Sequence, residues 1–333
     1  MSRSARIDDF LAAAGWAGAR RAPLAGDASA RRYERIGRGD RRAMLMDAPP
    51  ETGLDLAPFI AVTGWLRGHG LAAPEILATD PADGLLLLED LGDDLFATLC
   101  AADSSRAPEL YGAAIDLLVH FQSLPPPGGD WTPPPYDMAV LMREARLATE
   151  WYLPAATGAP AGTPPPPDLA AEFDALAEAA FAPLLPASTV PIYRDYHAEN
   201  LLWLPKRAGH ARIGLLDYQD MLIGHPAYDL VSLLEDARRD VDPALRTAMI
   251  ARYRDRAGAD AETLDQAAHV LSAQRNLKIL GLFTRLARRD GKPRYLGYLP
   301  RVWTYLKADL AHPALAPLAA WVEARLPPPG GAA

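Results

Sequence analysis

The chain contains one cysteine, Cys100, among its 333 residues. A single cysteine excludes an internal disulfide and a cysteine-rich metal site, and it fits a reducing cytoplasm. Long uncharged apolar runs are also missing, so no segment is expected to span a membrane. The segment from Met1 to Phe10 lacks the apolar core of a signal peptide. These absences predict a cytoplasmic protein with no membrane partner.

Basic residues are outnumbered by acidic ones, 34 against 42, which gives a net charge of −8. No stretch of the chain concentrates basic side chains, so we do not expect a nucleic-acid partner, and no obligate protein partner is evident. Half of the residues are hydrophobic, as in folded globular proteins. The length suits two packed lobes better than one small core.

Hydrophobic periodicity predicts a small β-rich lobe followed by a large helical lobe. The first lobe is predicted to contain helices over 5–15 and 55–68 and strands over 31–37, 41–47, 75–79 and 84–89. Helices are predicted beyond it over 93–102, 107–123, 137–152, 168–182, 226–235, 243–256, 262–289, 298–310 and 314–325. The expected class is α+β and bilobal, with a small antiparallel-sheet N-lobe over 1–91, a C-lobe over 92–326 and a disordered tail over 327–333.

Two short segments carry the chemistry. Asp195 and Asn200 form a D-x-x-x-x-N pattern, and Asp217 ends the apolar run over 213–216. In kinase-like enzymes one carboxylate positions or deprotonates the acceptor hydroxyl, while an Asn and a second Asp hold Mg²⁺ against the ATP phosphates. We therefore predict Asp195 as the catalytic group, and Asn200 and Asp217 as ligands of Mg²⁺.

The residues between these segments have the pattern of a β-hairpin, with apolar runs over 201–204 and 211–216 around a turn. Such a hairpin would bring Asn200 and Asp217 to adjacent strand ends. Further along, Pro226 can open a helix. Asp229 would then lie in the first turn of that helix, where we expect it to brace a neighbouring loop through backbone N–H groups.

These motifs resemble the aminoglycoside phosphotransferase superfamily, whose members share the protein-kinase-like fold. Within it, the resemblance is closest to the bacterial anomeric kinases of N-acetylmuramate and N-acetylglucosamine that act in cell-wall recycling. It is carried by the segments 26–33, 45–50, 87–92, 193–200, 216–220 and 274–278. The resemblance implies a kinase that uses ATP and Mg²⁺ and forms the α-1-phosphate of a small amino sugar.

By this resemblance the N-lobe binds the nucleotide. Glu89 and Leu91 would meet the adenine edge through their backbone groups. Gly26 and Ser29 would lie in a turn that covers the phosphates, where backbone N–H groups and a hydroxyl can donate to phosphate oxygens.

The chain departs from the kinase pattern in the strand over 41–47. Met46 occupies the place of the lysine that grips the phosphates, with Met44 on the same strand, and the following helix lacks the glutamate that would pair with that lysine. Candidates for the replacement cation are Arg31, Arg32 and Arg42. Strand alternation lets only one of Arg31 and Arg32 point at the nucleotide.

The predicted sugar-binding residues lie on two segments. The first set flanks Asp195, and the second lies on a late helix: Arg194, Tyr196, His197 and Glu199, then Arg275, Asn276 and Lys278. A cation such as Arg275 or Lys278 would favour the lactyl carboxylate of N-acetylmuramate.

Two other readings stay open. One is a kinase for another small acceptor, such as an aminoglycoside, choline or homoserine, although the basic helix at Arg275 and Lys278 disfavours a cationic aminoglycoside. The other is a nucleotide-binding pseudokinase, which the missing lysine favours. Because Asp195, Asn200 and Asp217 are all present, we expect an active enzyme.

Overall fold

The computed structural model describes residues 2–24, 31–129, 131–160 and 162–330. The chain divides into two compact units. The first unit comprises Met1–Ala102, Pro127–Thr132 and Glu199–Asp220, and the second comprises Asp103–Pro126, Pro133–Ala198 and Met221–Ala333. The lobe boundary near residue 91 stays a prediction. The disordered tail also stays a prediction, since residues 331–333 lie outside the described part.

The described residues form the helices and strands expected of an α+β protein. The helices are α1 (Arg3–Ala13), α2 (Ala57–Gly68), α3 (Phe96–Ala102), α4 (Ala107–Ser123), α5 (Met138–Ala145), α6 (Leu153–Ala156), α7 (Pro167–Phe181), α8 (Ala227–Leu234), α9 (Pro243–Ala257), α10 (Ala261–Arg288), α11 (Leu299–Asp309) and α12 (Ala316–Arg325). The strands are β1 (Arg20–Pro23), β2 (Arg32–Arg38), β3 (Arg41–Asp47), β4 (Ile76–Asp80), β5 (Leu85–Leu88), β6 (Val190–Ile192), β7 (Leu201–Trp203), β8 (Ile213–Leu215) and β9 (Leu222–Gly224).

The first unit is built on a five-stranded antiparallel sheet with the order β1-β2-β3-β5-β4. One face of the sheet packs against α1 through an apolar core that includes Ile36, Ala43 and Leu45. Because side chains alternate along a strand, Tyr33 and Met46, which lie directly opposite each other on β2 and β3, occupy the other face. Met44, one of the predicted nucleotide-binding residues, lies two residues before Met46 and shares this second face.

The sequence pattern did not predict β1, whose four residues include two arginines and a proline. This strand lies at the edge of the sheet and pairs only with β2 among the described strands, and proline is tolerated on an edge. The predicted phosphate-covering residues Gly26 and Ser29 follow β1 in the sequence and lie outside the described residues.

The second unit is mainly helical, and α10 is its longest helix. This helix of 28 residues packs against α5, α8 and α11. Its side chains are buried over several consecutive positions, Val270 to Leu277. A helix buried on all sides lies in the interior of its domain, so α10 can present residues from its middle to the candidate site. Among the described residues, no helix combines the length and apolar character that a membrane span requires.

The prediction of one continuous helix over 137–152 is wrong. α5 ends at Ala145, a π-helical turn covers Ala148–Tyr152, and α6 follows. A Cβ atom at Gly281 of α10 would lie 2.0 Å from the carbonyl atoms of Leu147. Two backbones therefore meet where the regular helix stops, and hydrophobic periodicity does not register such a contact.

Replacing Gly281 by alanine is expected to lower the free energy of unfolding. The added methyl group meets backbone atoms of Leu147 rather than a flexible side chain, and overpacking of this kind costs about 1–3 kcal/mol. Urea unfolding measures the change. Gly64→Ala is the matched control, since Gly64 lies in α2 with no atom within 4 Å of the new methyl; it should stabilise by up to about 1 kcal/mol. Equal effects at both glycines would contradict the packing account.

Candidate active site

Asp229 fixes the backbone of the loop that carries Asp195. Its carboxylate accepts hydrogen bonds from the N–H groups of Tyr193, at 2.6 Å, and Arg194, at 2.8 Å. The side chain is fully buried at the start of α8. Burial raises the pKa of Asp229 to about 7, although the two N–H donors lower it. These contacts are those of a structural carboxylate, the role predicted for it.

Left-handed backbone marks both segments of the predicted chemistry. Among the described residues, Arg194 (φ 77°) and Asp217 (φ 62°) are the two non-glycine residues with positive φ. Such conformations cost on the order of 1–3 kcal/mol and persist where neighbours over-determine them. For Arg194 the neighbours are Asp229, which binds its N–H, and Ser232, whose hydroxyl donates to its carbonyl at 3.2 Å.

Asp195 is partly exposed and surrounded by positive charge. Burial alone would raise the pKa of its carboxyl, but the charges of Lys278, Arg194 and Arg275 outweigh burial and lower the pKa below its ordinary value. Asp195 is therefore ionised at neutral pH, as a general base or an orienting carboxylate must be.

Two predicted sugar-binding residues are held by the same acid, Glu144 of α5. Arg194 donates to Glu144 Oε1, and Lys278 Nζ lies 3.0 Å from that oxygen. Tyr136 donates its hydroxyl to the other carboxylate oxygen. Sequence reasoning missed Glu144. The available signal was an acid within the apolar run that buries Leu141, Met142 and Ala145.

Tyr196 and His197 are committed to the interior of the second unit. The Tyr196 hydroxyl donates to the Ala114 carbonyl at 2.8 Å, and its ring packs edge-on against Tyr193. His197 is buried, which lowers its pKa to about 4 and leaves it neutral at pH 7. Glu199 belongs to the first unit. The structure thus supports packing for Tyr196 more than contact with a sugar.

Asn276 of α10 contacts a cluster of two buried acids, Glu235 and Asp309. Its side-chain amide donates to Glu235 at 3.0 Å and to Asp309 at 3.2 Å. The neighbouring Arg275 donates to the Glu235 carbonyl at 3.3 Å and is close enough to Asp195 to lower the pKa of that carboxyl. Of these two neighbours, Arg275 is the one that bears on the candidate site.

This acidic cluster predicts a pH dependence of stability. Burial raises the pKa of Asp309 to about 7, against about 3.8 when the chain is unfolded. Between these values the folded state binds more protons than the unfolded state, so this group lowers the free energy of unfolding as the pH rises. Asp309→Asn should therefore reduce the fall in stability between pH 5 and pH 8, measured by urea unfolding at several pH values. Identical slopes for the variant and the wild type would refute the assignment.

The first unit brings Asn200 and Asp217 to the same, open end of the β7–β8 hairpin. β7 and β8 are antiparallel, and the N–H of Leu216 donates to the carbonyl of Asn200 at 3.0 Å. The hairpin predicted from the sequence is confirmed. Tyr218, between Asp217 and Gln219, anchors the segment to α2 by a 2.6 Å hydrogen bond between its hydroxyl and that of Thr63.

The residues at this hairpin fit a divalent cation with oxygen ligands. Asp217 is exposed, and Gln219 donates its amide to one oxygen of the Asp217 carboxylate at 2.8 Å. The Gln219 side-chain oxygen is buried and has no hydrogen-bond partner among the described residues. A carboxylate, the Asn200 amide and this buried amide oxygen are hard donors of the kind that Mg²⁺ and its water ligands accept.

Met46, at the position of the missing lysine, is contacted by Tyr33 of the neighbouring strand. The Tyr33 hydroxyl lies 3.3 Å from the Met46 sulfur. Burial raises the pKa of Tyr33 to about 12, with Asp217 raising and Arg31 lowering it. The charges of Arg31 and Asp217 therefore both act on the Tyr33 hydroxyl. By strand alternation Arg32 occupies the opposite face, which favours Arg31 as the replacement cation.

The predicted adenine linker is held by arginines of the first unit. Arg35 of β2 forms ion pairs with Asp90 and Asp93, each at 2.8 Å. Asp90 also accepts the N–H of Gly92 at 3.0 Å. Glu89 pairs with Arg207. The N–H of Glu89 donates to the carbonyl of Glu75 at 2.8 Å, so the groups proposed to meet adenine are the carbonyl of Glu89 and the N–H of Leu91.

Comparison with known proteins supplies relatives over nearly the whole chain. The N-acetylmuramate/N-acetylglucosamine kinase of Caulobacter vibrioides is 41% identical, covering 98% of this chain and 97% of the relative. The kinase of the same name from Pseudomonas aeruginosa is 35% identical, covering 94% and 91%. A choline kinase structure from Streptococcus pneumoniae, 12% identical, matches with a TM-score of 0.64 over 93% of this chain and 99% of that one.

An aminoglycoside-3′-phosphotransferase structure of type VIII, 19% identical, matches with a TM-score of 0.55 over 80% of this chain and 97% of that one. At such identities the likeness shows the fold alone, and it confirms the predicted protein-kinase-like α+β fold. The model of the phosphotransferase enzyme family, APH, matches residues 20–266. With that match and a 41% identical relative over nearly its full length, the chain belongs to the phosphotransferase enzyme family.

Proposed function

We propose that this chain is an ATP- and Mg²⁺-dependent kinase that phosphorylates the anomeric hydroxyl of N-acetylmuramate and N-acetylglucosamine, giving the α-1-phosphate for peptidoglycan recycling. Four curated relatives carry the name of this sugar kinase. The observation that carries the catalytic assignment is Asp195, a carboxylate kept ionised by Lys278 and Arg194 on a loop fixed by Asp229. The location of the protein in the cytoplasm and the absence of an obligate protein partner stay predictions.

The roles follow from the chemistry of each group. Asp195 accepts the proton of the sugar hydroxyl, or holds that hydroxyl in line, as the hydroxyl oxygen attacks the γ-phosphate. Asn200 and Asp217 would hold Mg²⁺, which when bound neutralises charge on the phosphate oxygens. We assign the cation that replaces the strand lysine to Arg31, because side-chain alternation puts Arg31 on the same face of the sheet as Tyr33 and Met46.

The test is turnover with a panel of acceptors. ADP release is measured with N-acetylmuramate, N-acetylglucosamine, choline, homoserine and kanamycin. The methyl glycoside of N-acetylglucosamine is the matched control, because it lacks only the free anomeric hydroxyl. We expect turnover with the two free sugars and none with the glycoside. Turnover with choline or kanamycin alone would replace the proposed substrate, and no turnover with any acceptor would favour the pseudokinase reading.

Arg275→Ala is expected to impair N-acetylmuramate far more than N-acetylglucosamine. Only the former carries a lactyl carboxylate, and a charge-assisted hydrogen bond contributes roughly 1.5–3 kcal/mol. The specificity constant for N-acetylmuramate should fall about ten- to hundredfold relative to that for N-acetylglucosamine. N-acetylglucosamine serves as the internal control, since a loss of fold lowers both constants. Equal losses on both sugars would show that Arg275 does not bind the carboxylate.

A further inference from the structure

Glu144 is a buried acid that contacts Arg194 and Lys278, two of the cations that lower the pKa of Asp195, and the proposed reaction assigns it no role. It lies near the end of α5 and is 7% exposed. Its carboxylate accepts hydrogen bonds from Tyr136 and Arg194 and forms an ion pair with Lys278 at 3.0 Å. A carboxylate with that many donors is fixed in place, so its partners are fixed as well.

Glu144 supplies negative charge to two buried or partly buried cations, Lys278 and Arg194. Lys278 is mostly buried; burial lowers its pKa, but the charge of Glu144 raises it above its ordinary value, so Lys278 is an ammonium at neutral pH. Arg194 adds a second cation. Removing the partner of a buried charge leaves an uncompensated charge and is strongly destabilising. Glu144 contacts both cations and supplies one compensating negative charge, and Asp195, on which both cations act, supplies another.

Glu144 also binds the residue that directly precedes Asp195. It binds the side chain of Arg194, the residue directly before Asp195, while Asp229 binds the N–H of Arg194 and Ser232 its carbonyl. Arg194, whose backbone is left-handed, is thus held at its N–H, at its carbonyl and at its side chain. Loss of the Glu144 contact releases one of them, and a displacement of about 1 Å at a reacting group can cost about 10²-fold in rate.

We propose that Glu144 is a positioning residue for phosphoryl transfer: it fixes Lys278 and Arg194 as a pair of cations beside Asp195, so that Asp195 stays an oriented carboxylate. The reaction named here rests on the proposed function, whereas the arrangement of charges does not. Asp195 is faced by Lys278 and Arg275 from α10, Asp229 from α8, and Arg194 and His197 from its own loop. Glu144 is faced by Tyr136, Arg194, Gln274 and Lys278, and Tyr228 contacts Lys278 at 3.5 Å.

The first readout is the titration of Asp195 itself. Carbon-13 NMR of protein labelled at the aspartate carboxyl carbons gives its pKa, with the resonance assigned by its loss in Asp195→Asn. Lys278→Met should raise the pKa because a neighbouring cation is removed, and Glu144→Gln should lower it because a neighbouring anion is removed. The double variant should return the pKa close to that of the wild type. Shifts of the same sign in both single variants, or no shift, would refute the proposal.

The second readout is turnover. Glu144→Gln should lower kcat by up to about 100-fold, with KM for ATP changed little, since the partners of Glu144 are not predicted nucleotide-binding residues. Glu150→Gln is the control, because Glu150 is an exposed acid six residues further along and should leave kcat and the titration unchanged. An unchanged kcat in Glu144→Gln would overturn the positioning role. If Glu144→Gln does not fold, the pKa of Asp195 in Lys278→Met tests the charge arrangement. If the wild type phosphorylates no amino sugar, the proposed function fails, and the titrations still test that arrangement.

Discussion

Replacing Asp195 by asparagine is expected to lower kcat by about 10²- to 10⁴-fold, the range of general acid–base contributions. The two side chains have the same shape, so the substitution removes the charge and the proton acceptor while the loop stays held by Asp229. ATP affinity and the melting temperature should therefore change little. Steady-state kinetics with N-acetylglucosamine and calorimetric titration with the nucleotide measure the two quantities separately.

The control for this substitution is Asp255→Asn, at an exposed aspartate of α9 that pairs only with its neighbour Arg254 in the described chain. It should retain the wild-type rate. If Asp195→Asn keeps more than about a third of the wild-type kcat, a contribution of the size expected for a general base is excluded. A large loss that is accompanied by unfolding would instead assign Asp195 to the structure of the loop.

Replacing Asp217 by alanine is expected to weaken Mg²⁺-dependent ATP binding by more than about 100-fold. Even partners of metal ligands contribute about 10- to 100-fold to metal affinity, and Asp217 supplies the charged oxygen donor of the proposed pair. Calorimetry with ATP in the presence of Mg²⁺ and in its absence isolates the metal-dependent part. Asp40→Ala, at an exposed acid in the turn between β2 and β3, is the control and should bind as the wild type does. Unchanged Mg²⁺–ATP affinity in Asp217→Ala would exclude Asp217 as a ligand.

Features whose cause is local could be predicted from the sequence. The β7–β8 hairpin follows from two apolar runs around a turn, and the contact of Asp229 with the loop follows from an acid in the first turn of a helix opened by Pro226. The long helix α10 extends over nearly the residues that hydrophobic periodicity predicts. In each case, neighbouring residues carry the information.

Features that depend on contacts between distant segments could not be predicted. Glu144 binds Arg194 and Lys278 from positions 50 and 134 residues away along the chain, and no local pattern announces such a cluster. The π-helical turn after α5 reflects the approach of Leu147 to Gly281. Edge strand β1 has a composition that disfavours strands and forms because β2 supplies its partner.

We propose that Arg31, in the same unit, compensates for the loss of the strand lysine. A kinase-like sheet without that lysine suggests a protein that binds nucleotide without turnover, yet Arg31, directly before β2, lowers the pKa of Tyr33 through its charge. The helix glutamate that would pair with the lysine is absent as well, and Thr63 of α2 instead bonds Tyr218. The substitutions are consistent with each other, because a glutamate without its lysine would be an uncompensated charge.

The position of the transferred phosphate tests the central claim most directly. The wild-type protein is incubated with ATP, Mg²⁺ and N-acetylglucosamine, and the product is examined by phosphorus-31 NMR with proton coupling. A phosphorus resonance coupled to the anomeric proton, in the α configuration, is the result that a kinase of the anomeric hydroxyl predicts. Phosphorus coupled to the C6 methylene protons, or no phosphorylated sugar at all, would contradict it.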